Sequence, residues 1–366
     1  MCFPKNFSCP PVKAYFKLFA CCIPVKGARR SVICDLQRDR YQPIPTILYY
    51  ILTRFHHLPV EQIKANFDHR HNADIDAYLA FLDEQELGFW TDEPQQFPAL
   101  QLKNWHEAKA ITNAVVDFAP QSTHSLTELV PQLSELGCDA LELRFFYSLA
   151  LPELTQRLEA VKGSTLRSVE VVVGYDPSLS SAALRELHQH NPRVRKLTIH
   201  SAGQATFAEL DDFVIIYTPE QITSEKCCGS VSPWYFTANT HLFSEAQKFN
   251  SCLNRKIGVD QHGLLRNCPS MPTSFGHVDD TPLRAVLQQP DFTAVWAVNK
   301  DQVEVCRDCE FRYICQDCRA YTLDATSLSG KPAKCSYDPY AAVWGEATAD
   351  ASRPAARAGA PVSVAE

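Results

Sequence analysis

The stretch Cys306-Arg307-Asp308-Cys309-Glu310-Phe311-Arg312-Tyr313-Ile314-Cys315-Gln316-Asp317-Cys318 carries four cysteines at the spacing C-x2-C-x5-C-x2-C. A single C-x2-C pair arises often in tight turns, but two linked pairs in one short stretch are typical of a metal site. Thiolates packed this closely repel one another unless a metal ion or a cluster neutralises them. The stretch therefore predicts that metal ligation organises this part of the chain.

More cysteines lie on both sides of this stretch. Cys252 and Cys268 precede it and Cys335 follows it, which brings the number of candidate ligands to seven. Two sites of four cysteines each need eight ligands. Either Cys227 or Cys228, just upstream, is the expected eighth ligand.

Length, composition and charge set limits on the protein class. The chain has 366 residues, of which 45% are hydrophobic and 21% charged, as in ordinary folded proteins of two or three domains. The net charge of −7 argues against a nucleic-acid binder or an anionic-membrane binder. No apolar run is long enough to span a membrane. Fifteen cysteines, four of them in two C-x2-C pairs, indicate a reducing, cytoplasmic compartment rather than a disulfide-bonded protein.

The N-terminal part, residues 14–93, combines strand and helix patterns. Residues 15–23 and 31–36 are predicted strands of a hairpin around the turn signal at 24–27, and three helical patterns follow between residues 47 and 82. This combination predicts a winged-helix-like α+β module, a type that binds nucleic acid or peptides. The acidic side chains on the third helix disfavour nucleic acid and leave peptide recognition.

Strands and helices alternate in the middle of the chain. Residues 94–104 are a predicted linker, and the first four strands of the segment 105–220 then begin at the regular step of βαβ units. The fold class is therefore α/β, with a parallel sheet that is open or curled into a degenerate partial (β/α) barrel. Residues 221–345 form the cysteine-rich part, and the Ala-, Pro- and Ser-rich residues 346–366 are a predicted disordered tail.

The cysteine spacing resembles a known domain. The pattern Cys252-x10-Gly263-x4-Cys268, a gap, C-x2-C-x5-C-x2-C, a second gap and Cys335 is similar to the SPASM domain. That domain follows the catalytic barrel of many radical-SAM peptide-modifying enzymes, where it carries two auxiliary 4Fe–4S clusters. The last step, from Cys315 to Cys318, is x2 where the usual pattern has x3.

The resemblance covers nearly the whole chain except the tail. Segments 16–19, 23–31, 35–38, 252–256, 267–271, 309–315 and 337–340 resemble the grasp-with-spasm peptide maturases. That family is encoded beside an ATP-grasp ligase and a short ribosomal precursor peptide. The resemblance implies both as partners of this chain.

One motif of radical-SAM enzymes is absent. Their chemistry needs a C-x3-C-x2-C loop after the first barrel strand, but the corresponding residues 116–124 contain no cysteine, and the motif occurs nowhere in the chain. The cluster that cleaves S-adenosylmethionine is therefore not expected, and neither is S-adenosylmethionine as a cofactor. The named family likewise resembles radical-SAM maturases without their signature.

The SPASM arrangement implies how the ligands are shared. One cluster takes Cys306, Cys309, Cys315 and Cys335. The other takes Cys252, Cys268 and Cys318, with Cys228 or Cys227 as the fourth. Two clusters that share one short motif tie it to distant parts of the chain, so ligation supplies folding energy. Zinc stays an alternative, because C-x2-C pairs also form all-cysteine zinc sites.

Three functions compete on this basis. The first is a maturation component for a ribosomal peptide: it binds the precursor and acts with the ligase, and it need not be a catalyst itself. The second is an iron–sulfur oxidoreductase that acts on a peptide through a cluster with an open iron. The third is a zinc-stabilised interaction protein.

Overall fold

A computed structural model describes residues 14–102, 106–210, 212–316, 318–324 and 326–345. The predicted tail at 346–366 lies outside the described residues. The fold is mixed α/β and is built around one large, mostly parallel sheet, as expected for its class.

The N-terminal part begins with four short strands, β1 (Tyr15–Leu18), β2 (Cys22–Lys26), β3 (Ser31–Asp35) and β4 (Arg40–Ile44). Strands β2, β3 and β4 form a three-stranded antiparallel sheet with β3 at its centre. The prediction of one strand over residues 15–23 is wrong. The chain turns between β1 and β2, where the Cys22 N–H donates to the Phe19 carbonyl at 2.9 Å, and the two strands join different sheets.

Three helices follow, α1 (Thr46–Arg54), α2 (Val60–Asn66) and α3 (Asn72–Glu84). Their buried faces include Leu48, Ile63 and Leu79, which pack into one core with residues of β1–β4. The helical spacing of the apolar residues accounts for all three. Strand β5 (Gly88–Thr91) then pairs antiparallel with β1.

The middle of the chain alternates strands and helices up to residue 200 as the spacing predicts, but the strand at Thr206–Leu210 was not predicted. The strands are β6 (Asn113–Phe118), β7 (Ala140–Ser148), β8 (Ser168–Gly174), β9 (Val194–His200), β10 (Thr206–Leu210) and β11 (Phe213–Tyr217). The helices between them are α4 (Leu126–Glu135), α5 (Leu151–Lys162) and α6 (Ser181–His190). Ser125 caps α4 as predicted, since its Oγ accepts from the Thr127 N–H.

The two faces of this sheet differ in character. Successive residues of a strand point to opposite faces. Val116, Leu143, Val171 and Leu197 belong to the large apolar core that the helices share. Their neighbours in sequence, such as Asp117 and Arg144, lie on the opposite face, which we call the open face.

The cysteine-rich part adds two strands to the same sheet, which the sequence pattern did not predict. Its elements are α7 (Thr240–Ala246), β12 (Lys256–Val259), β13 (Leu265–Arg266), α8 (Leu283–Val286) and α9 (Pro290–Ala294). Strand β12 pairs parallel with β6, and β13 pairs antiparallel with β12. The sheet order is therefore β10-β11-β9-β8-β7-β6-β12-β13, with β10 and β13 at its two ends.

The N-terminal three-stranded sheet packs against the cysteine motif rather than standing apart from it. Val32 and Cys34 of β3 share a core with Phe311 and Ile314 of the motif. The same core holds Tyr337 of β14 (Tyr337–Asp338), which pairs with β15 (Val343–Trp344). Across the described ranges, no helix is long and apolar enough to cross a membrane.

Candidate metal centre

The first cysteine group consists of Cys306, Cys309, Cys315 and Cys335. All four line one small cavity, which Phe236, Phe311, Tyr337 and Trp344 help to enclose. The Cys309 N–H donates to the Cys306 carbonyl at 3.0 Å, and the Cys315 N–H donates to the Phe311 carbonyl at 3.0 Å. These two tight turns hold three cysteines of the motif around one enclosed space, and Cys335 reaches it from downstream.

The surroundings of this group disfavour free thiolates. Burial raises the pKa of Cys309 well above its usual range, and the carboxylate of Glu310 and the neighbouring Cys315 and Cys306 raise it further. Without a metal, Cys309 is a protonated thiol at neutral pH. Binding of a metal or cluster would release their protons and supply the missing positive charge.

Glu310, inside the motif, ties the group to the N-terminal sheet. Its side chain is fully buried, and Oε1 accepts from Arg30 Nε at 2.7 Å and from the Tyr337 hydroxyl. The turn between β2 and β3 comes so close that a Cβ on Gly27 would lie 2.9 Å from Glu310 Cβ. The Ala28 N–H also donates to the Asp308 carbonyl at 2.8 Å. The hairpin turn therefore closes one side of the first cysteine group.

The second cysteine group consists of Cys228, Cys252, Cys268 and Cys318, gathered at the β12 end of the open face. Burial raises the pKa of Cys318 to about 11, and repulsion from Cys252 and Cys228 adds to the shift. Burial also raises the pKa of Cys268 to about 12 against the lowering effect of Lys256. These four thiols are electrostatic neighbours of one another, although they come from four separate segments of the chain.

Strand β12 helps to assemble the second group. A Cβ on Gly258 would lie 2.5 Å from Pro269 Cδ and 3.0 Å from the Cys268 carbonyl carbon. Only a glycine lets the Cys268–Pro269 backbone come this close to the strand. Arg255, which immediately precedes β12, takes a positive φ of 52° and turns the chain from Cys252 into the strand.

The structure brings Cys228, more than Cys227, to the other three thiols. Gly229, with φ of 93°, passes so close to Cys318 that a Cβ there would lie 2.9 Å from the Cys318 Sγ. Cys228 faces Cys252, whereas the leading charged neighbour of Cys227 is the guanidinium of Arg144. Both side chains are exposed. The glycine after Cys228 is a sequence signal that would have favoured it over Cys227.

The spacing of the sulfurs bears on what the groups can hold. Four thiolates on one zinc ion lie about 3.8 Å apart, given Zn–S bonds of about 2.3 Å in a tetrahedron. Within the described ranges, one set of ligand atoms has all its members within 4.8 Å of one another, and it is Cys21, Cys22 and Asp35. The sulfurs of the two cysteine groups are therefore spread more widely than a single zinc ion requires.

The set of Cys21, Cys22 and Asp35 is a poor cation site. The Asp35 carboxylate already pairs with Arg38 at 3.1 Å and with Arg40 at 3.0 Å. These hydrogen bonds lower the pKa of Asp35 against the opposing effect of burial. Two guanidinium groups beside the carboxylate repel a metal cation.

The segment after β6 contains no thiol and is filled by other side chains. Arg144 Nε and Nη2 donate to the two carboxylate oxygens of Asp117 at 2.6 and 2.8 Å, and both side chains are buried. The His124 ring stacks on Phe118 with centroids 4.5 Å apart, and its Nε2 lies 2.8 Å from the Asp117 carbonyl oxygen. Burial lowers the pKa of His124, so the ring is neutral at physiological pH. Sequence reasoning missed the Asp117–Arg144 pair because its members lie on different strands.

In comparisons with known proteins, no family model matches the chain and no curated protein is significantly similar to it.

Proposed function

We propose that this chain is a maturation component for a ribosomally synthesised, post-translationally modified peptide, similar to the grasp-with-spasm maturases. In this proposal its C-terminal part is a SPASM domain with two 4Fe–4S clusters. The observation that carries the proposal is the division of eight cysteines into two groups of four. The division follows the ligand sharing that the SPASM resemblance implies.

We expect iron–sulfur clusters rather than zinc in the two groups, because the SPASM resemblance implies them. A cubane cluster places iron and sulfide between its four thiolates, so the sulfurs lie farther apart than around one ion. Among the described residues, neither group has three sulfurs that all lie within 4.8 Å of one another. The cysteines would bind the irons as thiolates, and the clusters would supply structural support or electron transfer.

The N-terminal part supports a role in peptide recognition. Three helices packed on a small antiparallel sheet agree with a winged-helix-like module. Its β2 and β4 are outer strands, which offer edges for strand addition by an extended peptide. Because the hairpin turn contacts the cysteine motif through Glu310, a leader peptide bound here would be held next to the first cluster.

The middle sheet would hold the core of the peptide for the ligase, which forms the bond. In this sheet Asp117 of β6 pairs with Arg144 of β7, and the segment that follows β6 carries His124 and no cysteine. This disfavours cleavage of S-adenosylmethionine by the chain itself.

One observation favours the oxidoreductase as a second candidate. The side chain of Cys228 is exposed, so the fourth thiolate of the second group lies at the solvent boundary. Loss of that ligand would leave an open iron facing a substrate.

The test of the proposed function is co-expression with the ATP-grasp ligase and the short peptide that we expect to be encoded beside this chain. The peptide mass should fall by one water per bond formed when all three are present, and should not change when this chain is omitted. A Cys309→Ala variant should behave like the omission. Full modification of the peptide by the ligase alone would contradict the proposal, as would the absence of both neighbouring genes.

A further inference from the structure

Two lysine side chains reach into the cysteine groups, one in each. Lys256, at the start of β12, places its Nζ 3.3 Å from the Cys252 Sγ. Lys300, of which 4% is exposed, lines the cavity of the first group, where its Nζ donates to the Cys315 carbonyl and lies 3.3 Å from the Ser251 Oγ. Both ammonium groups are therefore directed at thiol-rich surroundings.

Neither ammonium group is neutralised by a carboxylate among the described residues. The polar contacts of Lys256 and Lys300 there are to sulfur, hydroxyl and carbonyl atoms. Removing an ammonium group from water is unfavourable unless an opposite charge compensates it. Each ammonium group lies beside four cysteines. We therefore expect the compensating negative charge to come from a thiolate-bound cluster at each set of cysteines.

The backbone keeps Lys256 in this position. Lys256 pairs with Asn113 and Gly258 with Val115 in the parallel ladder between β12 and β6. Lys256 and Gly258 point to the same face of the sheet, and on that face Gly258 packs against Cys268 and Pro269. The strand therefore holds the half-buried lysine against the second group.

We propose that Lys256 and Lys300 are the counter-charges of the two clusters, and that Lys256 raises the reduction potential of the cluster held by Cys228, Cys252, Cys268 and Cys318. This rests on the proposed function only through the presence of the two clusters. A cluster with four thiolates is negatively charged, and reduction adds one more electron. A fixed positive charge and an N–H···S hydrogen bond both stabilise the reduced form.

The two lysines should differ in how strongly they change the reduction potential of the neighbouring cluster. Lys256 contacts a ligand sulfur directly, whereas Lys300 contacts the backbone carbonyl of Cys315. Charge added at a cluster on reduction is spread over its sulfurs, so the direct contact should have the larger effect. Lys256 should therefore raise the potential of its cluster by more than Lys300 raises that of the other.

The test is a redox titration with dithionite, monitored by electron paramagnetic resonance, on the full chain loaded with iron and sulfide. In Lys256→Met the one-electron reduction constant of one cluster should fall at least tenfold, a shift of about 59 mV. The other cluster should keep its potential. Lys256→Arg, which retains the charge, and Lys248→Met, which removes an exposed lysine, should leave both potentials unchanged.

The outcomes separate this inference from the proposed function. If the wild-type chain binds no iron, the two-cluster proposal fails and this inference fails with it. If both clusters are present and Lys256→Met shifts neither, the lysine inference alone is overturned. If Lys256→Met loses one cluster, the iron content of Lys256→Arg distinguishes the two causes. Normal iron in Lys256→Arg supports a role for the charge. Missing iron in Lys256→Arg shows that packing rather than charge was lost, and overturns the inference.

Discussion

Replacing Cys309 with alanine should remove about half of the bound iron and most of the soluble protein. Cys309 lines the cavity of the first group, between the N-terminal hairpin and the aromatic core around Phe311 and Tyr337. Ligation and folding are coupled in such sites, because the free energy of metal binding is also free energy of folding. Iron, acid-labile sulfide and soluble fraction, measured on anaerobically purified protein, check this. A soluble variant with full metal content would remove Cys309 from the ligand set.

The companion change for the second group is Gly229→Ala. Alanine at a φ of 93° is strained, and its Cβ would lie 2.9 Å from the Cys318 Sγ, so the second group should lose its iron while the first keeps it. Gly203→Ala is the matched control, because a Cβ at Gly203 meets nothing within 4 Å. Equal iron content in the Gly229→Ala and Gly203→Ala variants would argue against a ligand role for Cys228.

Replacing Arg144 with methionine should lower the free energy of unfolding by about 3–5 kcal/mol, because it leaves the buried Asp117 carboxylate without its partner. The pair lies on adjacent strands at the centre of the sheet, where water cannot take the place of the guanidinium. The double variant Asp117→Leu with Arg144→Met should recover most of the loss, since it buries no charge. Lys162→Met, which breaks an exposed pair with Glu159, should cost no more than about 1 kcal/mol.

The loss of unfolding free energy in Arg144→Met should be larger at high pH than at low pH. Burial raises the pKa of Asp117 to about 6 even beside Arg144, and without the arginine it should rise further. A carboxyl group whose pKa is higher in the folded protein destabilises it at high pH, and this cost falls as the pH drops toward the unfolded value of about 3.9. The free energy of unfolding of the variant should therefore be lowest relative to wild type at pH 8, and the difference should be smaller at pH 6. Urea titrations at both values, with iron measured on the same samples, check this, and an equal loss at both would contradict it.

The βαβ part of the fold could be predicted because its signals are local. The apolar runs of β6 to β9 and the cap of α4 at Ser125 lie within single segments of the chain. Strand β12 was missed because Lys256-Ile257-Gly258-Val259 is short and carries a lysine and a glycine. Its place beside β6 depends on contacts with Pro269 and Asn113, which are distant in the sequence.

In the candidate site, too, the residues with a local sequence signal could be predicted, and those that depend on contacts between distant segments could not. The C-x2-C spacing identifies four candidate ligands because their thiols are close along the chain. They are Cys306, Cys309, Cys315 and Cys318. Lys256 and Arg30 carry no such signal, since each meets its partner only after the chain has folded. Sequence reasoning therefore proposed the ligands, and the charges around them had to come from the structure.

The proposed function depends above all on two 4Fe–4S clusters, one in each cysteine group. The most direct measurement is iron, acid-labile sulfide and zinc per chain, with a visible absorption spectrum, on protein purified without oxygen. We expect about eight irons and eight sulfides per chain and no zinc. About two zincs and no sulfide would contradict it, and would leave the cysteines as structural ligands of zinc in an interaction protein.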